Sequence, residues 1–247
     1  LEDLSTGRVL TINKKMETHS TTSNNIKVEI WSDVVCPFCY IGKHRFELAL
    51  EKFQHRSNVE VEWKSFQLDP YAVTNPNLSV MDNLAREKGL SAAQVQESVG
   101  YIADMAKGVG LDFHFEKAIV ANSFKAHRIL HLAKTHGRQN ELEEKLFAAY
   151  FTQGLNIDDD DVLLNLATSV GLSGDEVRKV LGSDAYSDEV KHDIAHARQL
   201  YVRGVPYFLF DGKYAVSGAQ EVDVFLQTLN KAYADHKGPE VIEIPGN

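Results

Sequence analysis

The chain's only two cysteines stand three positions apart in the run Trp31-Ser32-Asp33-Val34-Val35-Cys36-Pro37-Phe38-Cys39-Tyr40. Thiols at that spacing can close a small disulfide ring or supply half of a structural zinc site. Zinc requires four ligands, usually completed by a second Cys or His pair at short spacing, and there is no second cysteine pair. Redox chemistry is the reading that remains, as expected for C-x-x-C beside a strand-helix pattern. An alternating apolar run, Ile26 to Trp31, precedes the motif and a helix-like run, Tyr40 to Phe53, follows it. The pair therefore falls at a strand-to-helix junction. There the first N–H groups have no intrahelical partner and the positive end of the macrodipole favours an anion. Pro37 suits the first helical position, where its missing N–H is not needed and its φ is already helical. On this geometry Cys36 is the N-cap and the exposed nucleophile, its thiolate favoured by the helix terminus, and Cys39 is the more buried resolving thiol. Phe38, with Pro37, sits between the thiols and tunes their potential.

The histidines offer a second chemistry, and it is weaker. His127 and His131, and likewise His192 and His196, share the four-residue helical step of many metal pairs. Neither pair has an adjoining Glu in the protease pattern or an obvious third ligand. No metal site is expected.

The elements that must position the thiols follow from patterning. Ile26 to Trp31 reads as the first strand, and the helix after Pro37 places Gly42, Phe46, Ala49, Leu50 and Phe53 on one face. Val59 to Trp63 alternates and reads as a second strand, parallel to the first because a helix connects them. Leu68 to Pro76 carries Asp69-Pro70 and Asn75-Pro76, both turn signals, and regular sheet is expected to stop there. From about Leu78 to about Tyr201 the pattern is helical, with six or so helices. Ser91 with Gln94, Asn140 with Glu143 and Ser173 with Glu176 have capping-box spacing, and Asp158 to Asp161 places acid at another helix start. Val205 to Phe210 resumes strand character. Asp211-Gly212 is a hairpin signal leading to Tyr214 to Val216, and Ser217 with Gln220 opens a last helix from Glu221 to about His236.

Composition narrows the function classes. With 26 Lys and Arg against 35 Asp and Glu, the formal net charge is -9, which argues against nucleic acid or an anionic membrane as partner. Both cysteines belong to one motif, so no disulfide framework staples the fold and the core must hold it. No apolar run approaches the roughly 20 residues of a membrane helix. The polar stretch Leu1 to Asn25 lacks the apolar segment of a secretory signal, so a cytoplasmic location is the default expectation. Leu1 to Lys15 reads as upstream sequence, with Met16 the natural start.

Taken together, β-α-β, a helical block and β-β-α with a proline before the third strand resembles the thioredoxin fold with a large all-helical insertion, the α/β arrangement of the DsbA-like superfamily. Cys36-Pro37-Phe38-Cys39-Tyr40-Ile41-Gly42, Asn122-Ser123-Phe124-Lys125-Ala126-His127-Arg128, Gly204-Val205-Pro206-Tyr207-Phe208 and Ser217-Gly218-Ala219-Gln220 are similar to motifs of its FrnE-like group. The resemblance implies a discontinuous thioredoxin domain over 26–77 and 202–236 and a helical insertion domain over 78–201; the polar stretch 1–25 is expected to be a flexible extension and the proline-containing tail over 237–247 to be loose. It implies that the insertion packs as a lid over the cysteine edge, that Pro206 is cis and that its loop faces the thiols. Val205 would then offer its backbone to an extended peptide or to glutathione. Asn122, His127 and Arg128 would lie on an insertion helix facing the site and contact substrate.

The activity so implied is thiol-disulfide oxidoreductase or isomerase, with protein or small-molecule thiols and disulfides as partners. No cofactor is expected to be bound; glutathione or a thioredoxin-type reductant is the expected redox partner, and the chain is a monomer or homodimer. A related branch, the glutathione-dependent hydroxychromene carboxylate isomerases and kappa-class transferases, generally has a lone Ser or Cys where Cys36 stands and often an Asp-Arg pair after the cis-Pro hairpin. Here Cys39 is present and Ala219-Gln220 occupies that place, and both departures favour redox. A non-catalytic binding module or chaperone is the third reading, and it gives no reason for two thiols.

Overall fold

Strand β1 (Ile26–Ser32) sends successive side chains to opposite faces, and each face finds a different partner. Ile26, Val28 and Ile30 are fully buried in a layer with Phe46, Phe53, Phe208, Phe210 and Phe225. Helix α1 (Pro37–Lys52) supplies Phe46, whose ring meets those of Phe208, Phe210 and Phe225 at centroid distances of 5.5, 6.1 and 5.8 Å. Each such buried side chain contributes roughly 1.5–3 kcal/mol of hydrophobic stabilisation. The computed structural model describes residues 25–237; the expected start at Met16 and the extension before residue 25 lie outside the described residues, as does the tail after 237.

After a single 3-10 turn (Arg56–Asn58), β2 (Val59–Ser65) runs parallel to β1 with Val59 opposite Ile26. β5 (Tyr207–Phe210) lies antiparallel on the other side of β1, and β6 (Tyr214–Ser217) follows it, giving the order β2-β1-β5-β6. Asp211 and Gly212 both adopt positive φ, 53° and 66°, as an Asp-Gly hairpin requires. Helix α9 (Val222–Lys237) packs beside α1. These elements form a thioredoxin-type sheet and its flanking helices.

Between β2 and β5 stand β3 (Asn75–Ser79), α2 (Val80–Lys88), α3 (Ala92–Lys107), β4 (Ile119–Val120), α4 (Phe124–Thr135) and α5 (Gln139–Phe147). A π-helical turn (Ala148–Gln153) extends α5, and α6 (Asp160–Ser169), α7 (Gly174–Leu181) and α8 (Ser187–Gln199) complete the block. Several sequence expectations change here. Regular sheet does not stop at Pro76: β3 and β4 pair antiparallel in a second, two-stranded sheet, whose short exposed strand accommodates a residue without an N–H. The block holds seven α-helices, more than the six or so expected. The Ser91–Gln94 capping box forms, but Asn140 lies inside α5, Ser173 makes no side-chain cap bond and Gln220 donates to the Ser217 carbonyl instead. Asn140 instead accepts from the Trp63 indole N–H at 3.0 Å, and the last helix starts at Val222.

The block is also more than a lid over the cysteine edge. Trp31 faces away from the Phe46 layer, donates its indole N–H to the Asp193 carbonyl at 3.0 Å and packs with Ala197 and Val202, so α8 covers the sheet's second face. Strand β2, at the sheet edge, is closed by side chains: Gln139 accepts from the Trp63 N–H at 3.2 Å and donates to its carbonyl at 3.0 Å. Asp193 accepts from the Ser65 N–H at 3.0 Å. At Trp63 and Ser65, edge groups that would otherwise be free for another strand are satisfied within the chain.

Candidate functional site

Cys36 is the N-cap of α1 in extended conformation (φ -95°, ψ 114°), with Pro37 in the first turn. The Cys36 N–H donates to the Asp33 carbonyl at 2.9 Å and the Cys39 N–H to the Cys36 carbonyl at 3.0 Å, so the tight turn out of β1 points both thiols to the helix start. The two thiols are free. The expectation of an exposed Cys36 is corrected: it is buried at 3%, beneath the packing of the helical block, while Cys39 is at 0%. Burial, together with the neighbouring Cys36, pushes the Cys39 thiol well above its ordinary value. Phe38, between them, is exposed at 37%.

The loop before β5 closes the site from the far end of the chain. The Val205–Pro206 bond is cis, and the Cys36 Sγ lies 3.7 Å from the Val205 carbonyl oxygen. A Cβ on Gly42 would come within 2.9 Å of the Pro206 Cγ, so α1 approaches this loop as closely as it does only because residue 42 has no side chain.

The DSBA-like thioredoxin domain model matches residues 27–230 of the 247. The chain belongs to this family. It is 41% identical to a probable DsbA oxidoreductase from Streptomyces coelicolor whose structure superposes with a TM-score of 0.80, covering 85% of this chain and 90% of that one. It is 29% identical over 208 residues to the protein YwbO of Bacillus subtilis (strain 168), covering 83% of this chain and 96% of that protein. A 2-hydroxychromene-2-carboxylate isomerase shares the fold at 13% identity and a TM-score of 0.60, covering 83% of this chain and 95% of that one.

In this DSBA-like chain, polar groups that sequence reasoning missed lie beneath the thiols. Asp33 is fully buried, and its carboxylate accepts from the Leu68 N–H at 2.8 Å and the Val35 N–H at 3.4 Å. His127, on α4, brings Nε2 to 3.4 Å from the Asp33 carboxylate. Burial works against a charged His127, but the Asp33 carboxylate, Glu143 and the Phe66 backbone together raise its pKa. Ser32 donates its hydroxyl to Glu143 on α5 at 2.9 Å. Burial pushes the Glu143 carboxyl up to about 7, against the pull of His127, Ser32 and Lys43. Asp33 carried a signal, a lone charge between an apolar strand and the C-x-x-C; Glu143 carried none, because its helix face is decided by packing.

The insertion residues expected at the site divide. Only His127 reaches the Asp33 cluster. Asn122 ties loops together, accepting from Gln67 and from the Phe124 N–H and donating to the Ala72 carbonyl, and it lines a cleft of about 540 Å³ with Gln67, Pro70 and Lys125. Arg128 does not turn to substrate: its guanidinium is committed to the carbonyls of Val180, Ser183 and Ala185, closing the α7–α8 connection. The other paired histidines part company too, His131 contacting Ser65 and Asp193 while His192 is exposed and His196 meets Trp31 edge-on. Among the described residues His44, Glu47 and Glu144 do converge within 4.8 Å. The Lys43 ammonium already contacts both carboxylates, at 2.8 and 2.6 Å, which makes the cluster an ion-pair network.

Proposed function

We propose that this DSBA-like protein is a dithiol-disulfide oxidoreductase in which Cys36 is the attacking and Cys39 the resolving thiol. The observation that carries the reading is the Cys36 sulfur at the α1 N-cap, with the Val205 carbonyl 3.7 Å away and Cys39 one turn behind it at zero exposure. The Cys36 thiolate attacks a substrate disulfide R–S–S–R′, forming Cys36–S–S–R and releasing R′–S⁻. Cys39 then loses its proton and attacks the Cys36 sulfur, closing the protein disulfide and releasing R–S⁻; the reverse sequence oxidises a dithiol. Substrates are protein or small-molecule disulfides of the cytoplasm, glutathione or a thioredoxin-type reductant resets the pair, and Val205 and Asn122 border the substrate. On this reading the chain is FrnE-like.

The test is Cys39→Ser. It leaves the first attack intact and removes the resolving thiol, so mass spectrometry finds a stable mixed disulfide on Cys36 and insulin reduction stops. A variant that reduces insulin at the wild-type rate would overturn the assignment and favour a glutathione-dependent isomerase.

A further inference from the structure

Strand β2 ends at Ser65, and the chain then runs along the thiol end of the sheet. The Phe66 N–H donates to the Ser32 carbonyl at 2.9 Å and the Leu68 N–H to the Asp33 carboxylate at 2.8 Å. Gln67, between them, is only 9% exposed and opens on the cleft of about 540 Å³, which is in the size range of ligand-binding clefts. Its amide can point only one way. Asn122 Oδ1 accepts from the Phe124 N–H at 2.9 Å while its Nδ2 donates to the Ala72 carbonyl at 2.9 Å, which fixes the Asn122 amide. Asn122 Oδ1 therefore needs a donor from Gln67, and Gln67 Nε2 supplies it at 3.2 Å. Gln67 Oε1 is left over: it accepts no hydrogen bond among the described residues, yet it is not sealed from solvent. A largely buried acceptor is satisfied only when something in the cleft donates to it.

We propose that this cleft is a subsite for the polypeptide that carries the substrate disulfide, with an N–H of that chain donating to Gln67 Oε1. The inference rests on the dithiol reading above and makes extended protein segments, rather than glutathione, the substrate this site selects. Val205 precedes β5 and Gln67 follows β2, and β5 and β2 flank β1. A chain whose cysteine sits at Cys36 thus has the Val205 backbone on one side and the cleft on the other.

Reach and chemistry both favour a polypeptide. Cys36 closes a turn on Asp33, and the Asp33 carboxylate bonds the Leu68 N–H, so the cleft begins roughly 10–15 Å from Cys36, or about three to four residues of extended chain. Glutathione has a single residue on each side of its cysteine and stops short of it. Pro70, Val73 and Phe124 give the cleft an apolar wall, and Leu68, Tyr71 and Val73 stand exposed on the same loop. Its lysine, Lys125, is already shared by Asp158 at 3.7 Å and Asp160 at 2.8 Å, which leaves nothing to pair with the carboxylates of glutathione. Uncharged backbone and apolar side chains are what such a surface accepts.

The experiment uses the full reduced chain and two blocked, uncharged peptides of alanine and valine, with one residue and with about five residues on each side of a single cysteine. Each cysteine is held as its mixed disulfide with thionitrobenzoate, whose release reports attack by Cys36. Wild-type protein reacts with the long peptide about 10-fold faster than with the short one, the size that one hydrogen bond and one buried apolar side chain supply. In Gln67→Leu this ratio falls by about 3- to 10-fold. Val73→Asp, on the exposed wall, lowers it in the same way and carries the test if Gln67→Leu fails to fold. A wild-type ratio near one, or a wild-type ratio in both variants, would overturn the proposal. Sedimentation in which the wild type is a dimer and Val73→Asp a monomer gives the cleft to a second copy of the chain and overturns it as well. If neither peptide releases thionitrobenzoate with the wild type, the dithiol reading falls and the subsite falls with it.

Discussion

Cys36 and Val205, 169 residues apart, meet at 3.7 Å between thiol sulfur and carbonyl oxygen, although no element of the sheet contains either of them. Each is fixed by the end of an element next to it: Cys36 by the start of α1, and Val205 by Pro206, whose carbonyl accepts from the Gly218 N–H at 2.8 Å. The site is a seam at one end of the neighbouring central strands β1 and β5, where the two sequence halves of the thioredoxin-type sheet meet.

Both thiols are buried, but burial and the neighbouring Cys36 make Cys39 the costly one to ionise, so the two will not react alike. With the reduced protein and iodoacetamide near pH 7, one equivalent should be taken up and map to Cys36. Cys39, whose thiol burial pushes well above its ordinary value, stays unmodified until the protein unfolds or the pH rises far above the ordinary thiol value of about 8.5. Equal labelling of both cysteines in peptide mapping contradicts the assignment.

Gly42→Ala tests whether α1 and the Pro206 loop are packed as tightly as the geometry says. Alanine favours a helix interior over glycine by up to about 1 kcal/mol. Against this, its methyl would sit 2.9 Å from the Pro206 ring, and overpacking of this kind costs about 1–3 kcal/mol. The expected outcome is a net loss of about 1–2 kcal/mol of stability in denaturant titration and slower formation of the Cys36 mixed disulfide. A more stable variant with unchanged rate means that the loop is not pinned by this contact.

Stability should peak in mildly acidic solution. Glu143 has its folded pKa raised from 4.5 to about 7, so the native state holds that proton more tightly and stability falls as pH rises through this window. His127, also raised, adds stability that is complete below its ordinary value of 6.5 and is lost as pH climbs through the folded value. Glu62 and Glu144 act in the opposite direction. Burial opposes their charge, but Lys134, Lys27 and Lys64 around Glu62, and His44, Lys43 and Tyr40 around Glu144, hold both at about 2. Their contribution is present above 4.5 and is lost as pH falls towards 2. Urea titrations from about pH 3 to 9 check the shape, with a maximum near pH 5. In Glu143→Gln the neutral limb should flatten and the variant gain roughly 1–3 kcal/mol over wild type at pH 8. A stability that climbs steadily from about pH 5 to 8 contradicts the Glu143 environment.

The sequence by itself determined the thiol pair, its place between a strand and a helix, the parallel β1–β2 unit, the Asp211-Gly212 hairpin and the late strands, because each rests on local periodicity or on a turn with strict φ demands. It also pointed to Pro206 as the loop facing the thiols, through the resemblance of its motif. The tertiary structure alone decided what surrounds the sulfur atoms. Whether Arg128 turns to substrate or to three carbonyls depends on where α7 ends, and its own helix has no code for that. Whether Cys36 is exposed depends on the mass of the helical block laid over it. Glu143 has the spacing of a capping residue, yet it is buried against Ser32, 111 residues away in the chain. Local spacing fixes what a backbone can do, but the environment of a buried charge is set by groups that only the fold brings together, and that environment governs its proton.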